Sequence, residues 1–93
     1  MKPETLMQVI ENMRSQYRDL GYVVISSPVA GHEIEYEQTL RAGLEKIEIT
    51  LHFLNKHYGF RGRSKRALRA LHEELPEPIW GVQSVLGSRK SPF

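Results

Sequence analysis

Cysteine is absent from the chain, which rules out disulfides, thiolate metal sites and cysteine nucleophiles. Asp19 is the only aspartate, so there is no prospect of a Ser-His-Asp triad. Neither a nucleophile elbow nor a phosphate-loop glycine pattern occurs. No apolar run approaches the roughly 18 residues of a membrane span, and the first residues do not read as a signal peptide. The expectations are a cytoplasmic location, no membrane partner, no catalysis, no cofactor and no metal.

What is present is the composition of an ordinary globular domain. The chain has 93 residues, 40% of them hydrophobic and 26% charged, enough for one domain over residues 1–93, with 87–93 reading as a tail. A core of this size is marginal unless packing is very good or a second copy supplements it. The net charge of +2 conceals a separation of signs. Acidic residues concentrate between Glu33 and Glu48, and basic ones between Lys56 and Arg69.

The chain is organised around Tyr36, Leu40, Leu44, Ile47, Leu51, Leu54 and Tyr58, which recur at alternating steps of four and three. At 3.6 residues per turn they fall within an arc of roughly 80° on an α-helix running from about Glu33 to His57. A strand is the rival over Ile47–Phe53, where Ile47, Ile49, Leu51 and Phe53 alternate with Glu48, Thr50 and His52. The strand gives no account of Leu40, Leu44 or Leu54, so the helix is preferred. Ile49 and Phe53 then form a second apolar face, which places the helix centrally. Glu37 with Arg41, Arg41 with Glu45, and Glu48 with His52 are spaced to support it. Gly43 weakens it by roughly 1 kcal/mol relative to Ala and marks a close helix contact.

Upstream, Pro3 and Glu4 suit a helix start. Leu6, Val9, Ile10, Met13, Tyr17 and Leu20 form an amphipathic stripe that stops at Gly21. Glu11, Arg14, Gln16 and Arg18 lie on the opposite, solvated face. Tyr22 to Ser27 is β-branched and aromatic and reads as a short strand. Its expected partner is His32 to Glu37, across a hairpin around Pro28 to Gly31; in that case helix two starts nearer Thr39, its N-cap. Downstream, Ser64 is a natural N-cap for a third helix, Lys65 to Leu75, with Ala67, Leu68, Leu71 and Leu75 on its apolar stripe. Pro76 and Pro78 stop it, and Ile79, Trp80, Val82, Val85 and Leu86 suggest a short apolar helix or turn. The expected fold is mainly α, with α+β as the variant: three helices around a long central one, and a short β-hairpin or strand between helices one and two.

Arg61, Arg63, Lys65, Arg66 and Arg69 cluster at the start of helix three, where the helix dipole disfavours cations by a few tenths of a kcal/mol up to about 1. With two glycines nearby and free helix-start amides, they read as a nucleic-acid or anion site. The competing reading is a solvated face, with Arg69 paired to Glu73 and the rest facing the Glu-rich segment. A helix-turn-helix over Ser64 to Leu86 is a further possibility, weakened by a Pro-Glu-Pro turn without glycine. His32, His52, His57 and His72 have no metal-ligand spacing, and Glu33, Glu35 and Glu37 read as a solvent-facing row rather than paired carboxylates. Trp80 is either an exposed interaction anchor or a lid over the core.

The leading function is therefore a non-enzymatic, self-associating binding module that engages nucleic acid through the basic patch. Leu40, Leu44, Ile47, Leu51, Leu54 and Trp80 are its expected interface in a dimer. The alternative is a regulatory protein-binding inhibitor or adaptor, of phage or plasmid type, acting on an acidic surface of a host protein.

Overall fold

The computed structural model describes residues 2–75 and 79–85. In chain order these form α1 (Pro3–Asp19), β1 (Tyr22–Val24), α2 (Glu33–Tyr58), α3 (Lys65–Glu74) and β2 (Val82–Ser84). The fold is mainly helical, with a short two-stranded antiparallel sheet and β1 between helices one and two, as the sequence implies. The expected tail at 87–93, Leu86, and Pro76 and Pro78 at the end of helix three lie outside the described residues.

The long helix prevails over the strand reading, and α1 and α3 both pack on it. Tyr36, Leu40, Ile47, Leu51 and Leu54 are buried in one core with Leu6, Ile10, Met13, Tyr17 and Leu20 of the N-terminal segment and Ala67 and Leu71 of α3. Leu44 packs at its margin. The chain thus covers the seam itself. Leu40, Ile47, Leu51 and Leu54, expected at a dimer interface, lie in the intramolecular core, with Leu44 half-buried at its margin. Tyr58 departs from the pattern. It occupies the last position of α2 and is 67% exposed.

The second apolar face of α2 is not covered. Ile49 and Phe53 are 63% and 52% exposed, because α1 and α3 pack on the seam face of α2; packing on that face does not entail burial of the other.

Helix ends follow local chemistry. The backbone turns left-handed at Gly59 (φ 72°), whose amide donates to the Asn55 carbonyl. The Ser64 side chain accepts a hydrogen bond from the Ala67 amide at 3.2 Å, the N-cap expected there. Glu33 and Glu35 sit in the first turn of α2, where carboxylates suit the positive end of the helix dipole. His32 to Glu37 therefore enters the helix instead of a hairpin, and the Thr39 hydroxyl bonds back to the Glu35 carbonyl at 2.9 Å instead of capping.

β1 finds its partner far along the chain. Tyr22 pairs with Ser84, Val23 with Gln83 and Val24 with Val82. Val82, on a strand where a helix or turn was expected, is buried, whereas Gln83 is exposed. Among the described residues no helix follows α3, which removes the second helix that a helix-turn-helix needs.

Polar contacts lock the segment after β1 against the helices. Arg14 donates to the Ser26 carbonyl at 2.9 Å and to the Tyr36 hydroxyl at 3.1 Å, and the Tyr36 hydroxyl donates to the same carbonyl at 2.7 Å. Arg14 was expected on the solvated face of helix one; it is half-buried instead, with its guanidinium 5.9 Å from the centre of the Tyr36 ring.

Candidate functional site

The basic cluster sits where α2 hands over to α3. After Gly59 the chain makes a compact loop in which the Ser64 amide donates to the Arg61 carbonyl at 3.0 Å and Gly62 takes φ 50°. α3 then seats Ala67 and Leu71, both fully buried, against the core. At roughly 100° per residue, Lys65, Arg66, Arg69 and Glu73 fall within an arc of about 100° on the opposite side of the helix. All four are exposed.

The five cations expected at the site do not act together. Lys65, Arg66 and Arg69 line one open groove of about 380 Å³ with Phe60, Ala70 and Glu73. Arg63 points away from it, paired with Glu48 of α2, and lines a separate hollow with Gln16, Arg41, Leu44, Glu45 and Glu48. Arg61 is exposed in the loop and lines neither. Arg63 alone follows the competing expectation that the cluster faces the Glu-rich segment.

Among the described residues Arg61, Lys65, Arg66 and Arg69 form no ion pair; the pairs present are Glu37 with Arg41, Glu48 with Arg63, and His32 with Glu35 at 3.8 Å. The Arg69–Glu73 pair does not form, although both side chains border the groove. Lys65, Arg66 and Arg69 thus border the groove with Glu73 as the one carboxylate among its described lining residues, and their mutual repulsion and the adverse helix dipole favour counterions or an anionic ligand there.

The groove also has an aromatic side that charge patterning does not reveal. Phe60 packs against the core and lines the groove, and Tyr58 stacks on it with ring centroids 6.0 Å apart and planes inclined at 28°. Tyr58 counted in the sequence as the last residue of the buried seam, but it stands at the very end of α2, next to the Gly59 turn, and is exposed. The only advance signal was its position immediately before Gly59.

The remaining polar groups with distinctive surroundings serve the fold. His72 is buried, its Nδ1 against the Leu68 carbonyl and its Nε2 3.0 Å from the Gly21 carbonyl, with its ring stacked on Tyr22 at 4.5 Å. Burial pushes the Tyr22 phenol up to about 12, and its hydroxyl has no hydrogen-bond partner among the described residues. Burial also raises the Tyr17 phenol, opposed in part by the Leu44 backbone. Among the described residues no three acidic or histidine side chains converge on a possible metal position. Trp80 is 58% exposed and edge-on to Tyr36 at 5.8 Å. Tyr36 lies near the opposite end of α2 from Tyr58, about 33 Å away along the helix axis. Trp80 belongs to a different surface.

No helix among the described residues is long and apolar enough to cross a membrane. No protein-family model, curated protein or solved structure matches the chain.

Proposed function

We propose that this chain is a non-enzymatic binding module that engages nucleic acid through the groove of Lys65, Arg66 and Arg69, with Arg61 exposed in the loop that leads into α3. The observation that carries the proposal is the arrangement of these cations. Lys65, Arg66 and Arg69 share an exposed arc, have no carboxylate partner among the described residues and border a groove with an aromatic wall. Arginine forks and a lysine ammonium hold phosphate oxygens by charge-assisted hydrogen bonds, and a polyanion releases counterions when several such cations bind it. Binding is favoured over catalysis because the groove combines cations and apolar surface with one carboxylate, a set suited to holding an anion and not to moving a proton.

The test is titration of labelled DNA and RNA at low and at high salt. Binding at about 50 mM salt that weakens as salt rises supports the proposal, with a log–log slope of about −0.7 to −0.9 per phosphate contact. No binding at low salt, or binding indifferent to salt, refutes it.

The second reading, a protein-binding adaptor or inhibitor, rests on the other end of the molecule. There Trp80 stands exposed beside Gly81, whose carbonyl accepts from the Ile25 amide at 2.8 Å, and the Ile25 side chain is itself 65% exposed. Exposed aromatic and aliphatic side chains in one neighbourhood suit a protein partner. A pull-down from nuclease-treated lysate separates the readings: one stoichiometric protein retained favours the adaptor, and loss of every partner with nuclease favours nucleic acid.

A further inference from the structure

We infer that the groove takes single-stranded rather than duplex nucleic acid, with an unpaired base stacked on Tyr58; this rests on the nucleic-acid reading of the same groove. The Tyr58 ring is 67% exposed, on the last turn of α2. One of its faces is supported by Phe60, which is itself anchored against the core and lines the groove beside Lys65, Arg66 and Arg69. The aromatic step thus leads from the core to Phe60 in the groove wall and on to Tyr58, which stacks on Phe60 next to the groove and is two-thirds exposed. A freely rotating surface tyrosine would have to be immobilised on binding; one already stacked has lost much of that freedom beforehand.

The bases of a duplex are stacked on one another and present only edges to the grooves. A planar ring beside a row of cations has no stacking partner in a duplex. An unpaired strand offers both base faces and phosphates, and basic grooves with aromatic platforms hold such strands without sequence preference. Charge along α3 points the same way. Its cations occupy the first half, and Glu73 shares their exposed arc toward the end. A duplex laid along the whole arc would press phosphate against that carboxylate, whereas a strand leaving α3 toward Phe60 and Tyr58 avoids it.

The experiment measures fluorescence anisotropy of labelled oligonucleotides of about 15 nucleotides, within the span of known single-strand sites, as single strands and as blunt duplexes of the same sequence at low salt. It uses the unaltered chain, Tyr58→Ala and Tyr58→Phe, each checked by circular dichroism for native helix content. The expected result is single-strand binding at least about tenfold tighter than duplex binding. Tyr58→Ala should weaken it by about 5- to 150-fold, the range for loss of one stacked base, and Tyr58→Phe should retain it. Duplex binding as tight as single-strand binding overturns the inference while leaving the nucleic-acid reading intact. So does an unchanged single-strand affinity in Tyr58→Ala, or a Tyr58→Phe as weak as Tyr58→Ala. Failure of both forms to bind at low salt overturns the inference and the nucleic-acid reading together.

Discussion

Gly43 of α2 lies against Tyr17 of α1 so closely that a Cβ at position 43 would stand 2.6 Å from the tyrosine hydroxyl and 2.6 Å from the Ile79 Cγ2. The approach lets the Tyr17 hydroxyl donate to the Leu40 carbonyl inside the core. Gly43→Ala raises helix propensity by about 1 kcal/mol but inserts a methyl group where two neighbours already meet. Overpacking of this kind costs about 1–3 kcal/mol, so the expected net effect is destabilisation. Urea denaturation should show a lower midpoint. In a Tyr17→Phe background the penalty should shrink, because one of the two clashing atoms is gone, and a double-mutant cycle measures that coupling. An unchanged or raised midpoint for Gly43→Ala would mean that the helices are not in contact here.

The two buried tyrosines predict a specific alkaline limit. Tyr22 holds its proton up to about 12 when folded, against 10.0 for the free phenol, and Tyr17 is shifted in the same direction. A pKa raised by folding contributes stability that is intact below the unfolded value and is lost as pH rises through it toward the folded one. Stability should therefore fall between about pH 10 and 12, with two of the four tyrosines forming tyrosinate only as the chain unfolds. Removal of the hydroxyls separates the pair. Tyr17→Phe loses a buried hydrogen bond and should cost about 0.5–1.5 kcal/mol, whereas Tyr22→Phe removes an unsatisfied hydroxyl and should be neutral or slightly stabilising. Absorbance of tyrosinate against pH, alongside denaturation of both variants, tests this ordering.

The two faces of α2 should respond in opposite ways to a polar substitution. Leu51 is 3% exposed and Phe53 is 52% exposed. Leu51→Glu buries a carboxylate without a partner at a cost of several kcal/mol, a large share of the 5–15 kcal/mol typical of a small domain. Phe53→Ser should stay within about 0.5 kcal/mol of the parent, as exposed sites do. Circular dichroism with light scattering distinguishes the outcomes. Leu51→Glu should lose helix content; a folded Leu51→Glu at half the parent mass would instead place the seam between two copies.

Legibility in the sequence followed the distance over which each feature is decided. α1, α2 and α3 were readable because periodicity and caps are local: the stripe ending at Gly21, the turn at Gly59 and the cap at Ser64 each depend on a few neighbouring residues. The strand partner was not, because β1 pairs with residues some sixty positions away while a nearer alternating segment, His32 to Glu37, offered the same period and was taken by the helix. His72 and Arg14 are the same case, since their partners Gly21, Ser26 and Tyr36 are distant in sequence. At the site, composition located the cations but not their directions. Whether Arg63 joins Arg66 or turns to Glu48 depends on how α2 and α3 pack.

That turn makes Glu48 a competitor for the ligand. The Arg63 and Glu48 side chains are 54% and 41% exposed, so their pairing lies in the range of surface ion pairs, about 1 kcal/mol or less, and its loss should leave the fold intact. Glu48→Ala removes one negative charge and frees the Arg63 guanidinium, the one cation of the five held by a carboxylate among the described residues. If phosphate is the ligand, affinity at low salt should rise by up to about fivefold, the equivalent of 1 kcal/mol, and the salt slope should steepen by up to about one contact. Glu48→Gln should give part of the gain, because the amide still hydrogen-bonds the guanidinium. Arg63→Ala in the Glu48→Ala background should return affinity to the parent value or slightly below it. Anisotropy titrations of the three variants at several salt concentrations decide the matter. An affinity that falls in Glu48→Ala would show that the pair shapes the site and does not merely occupy one of its cations.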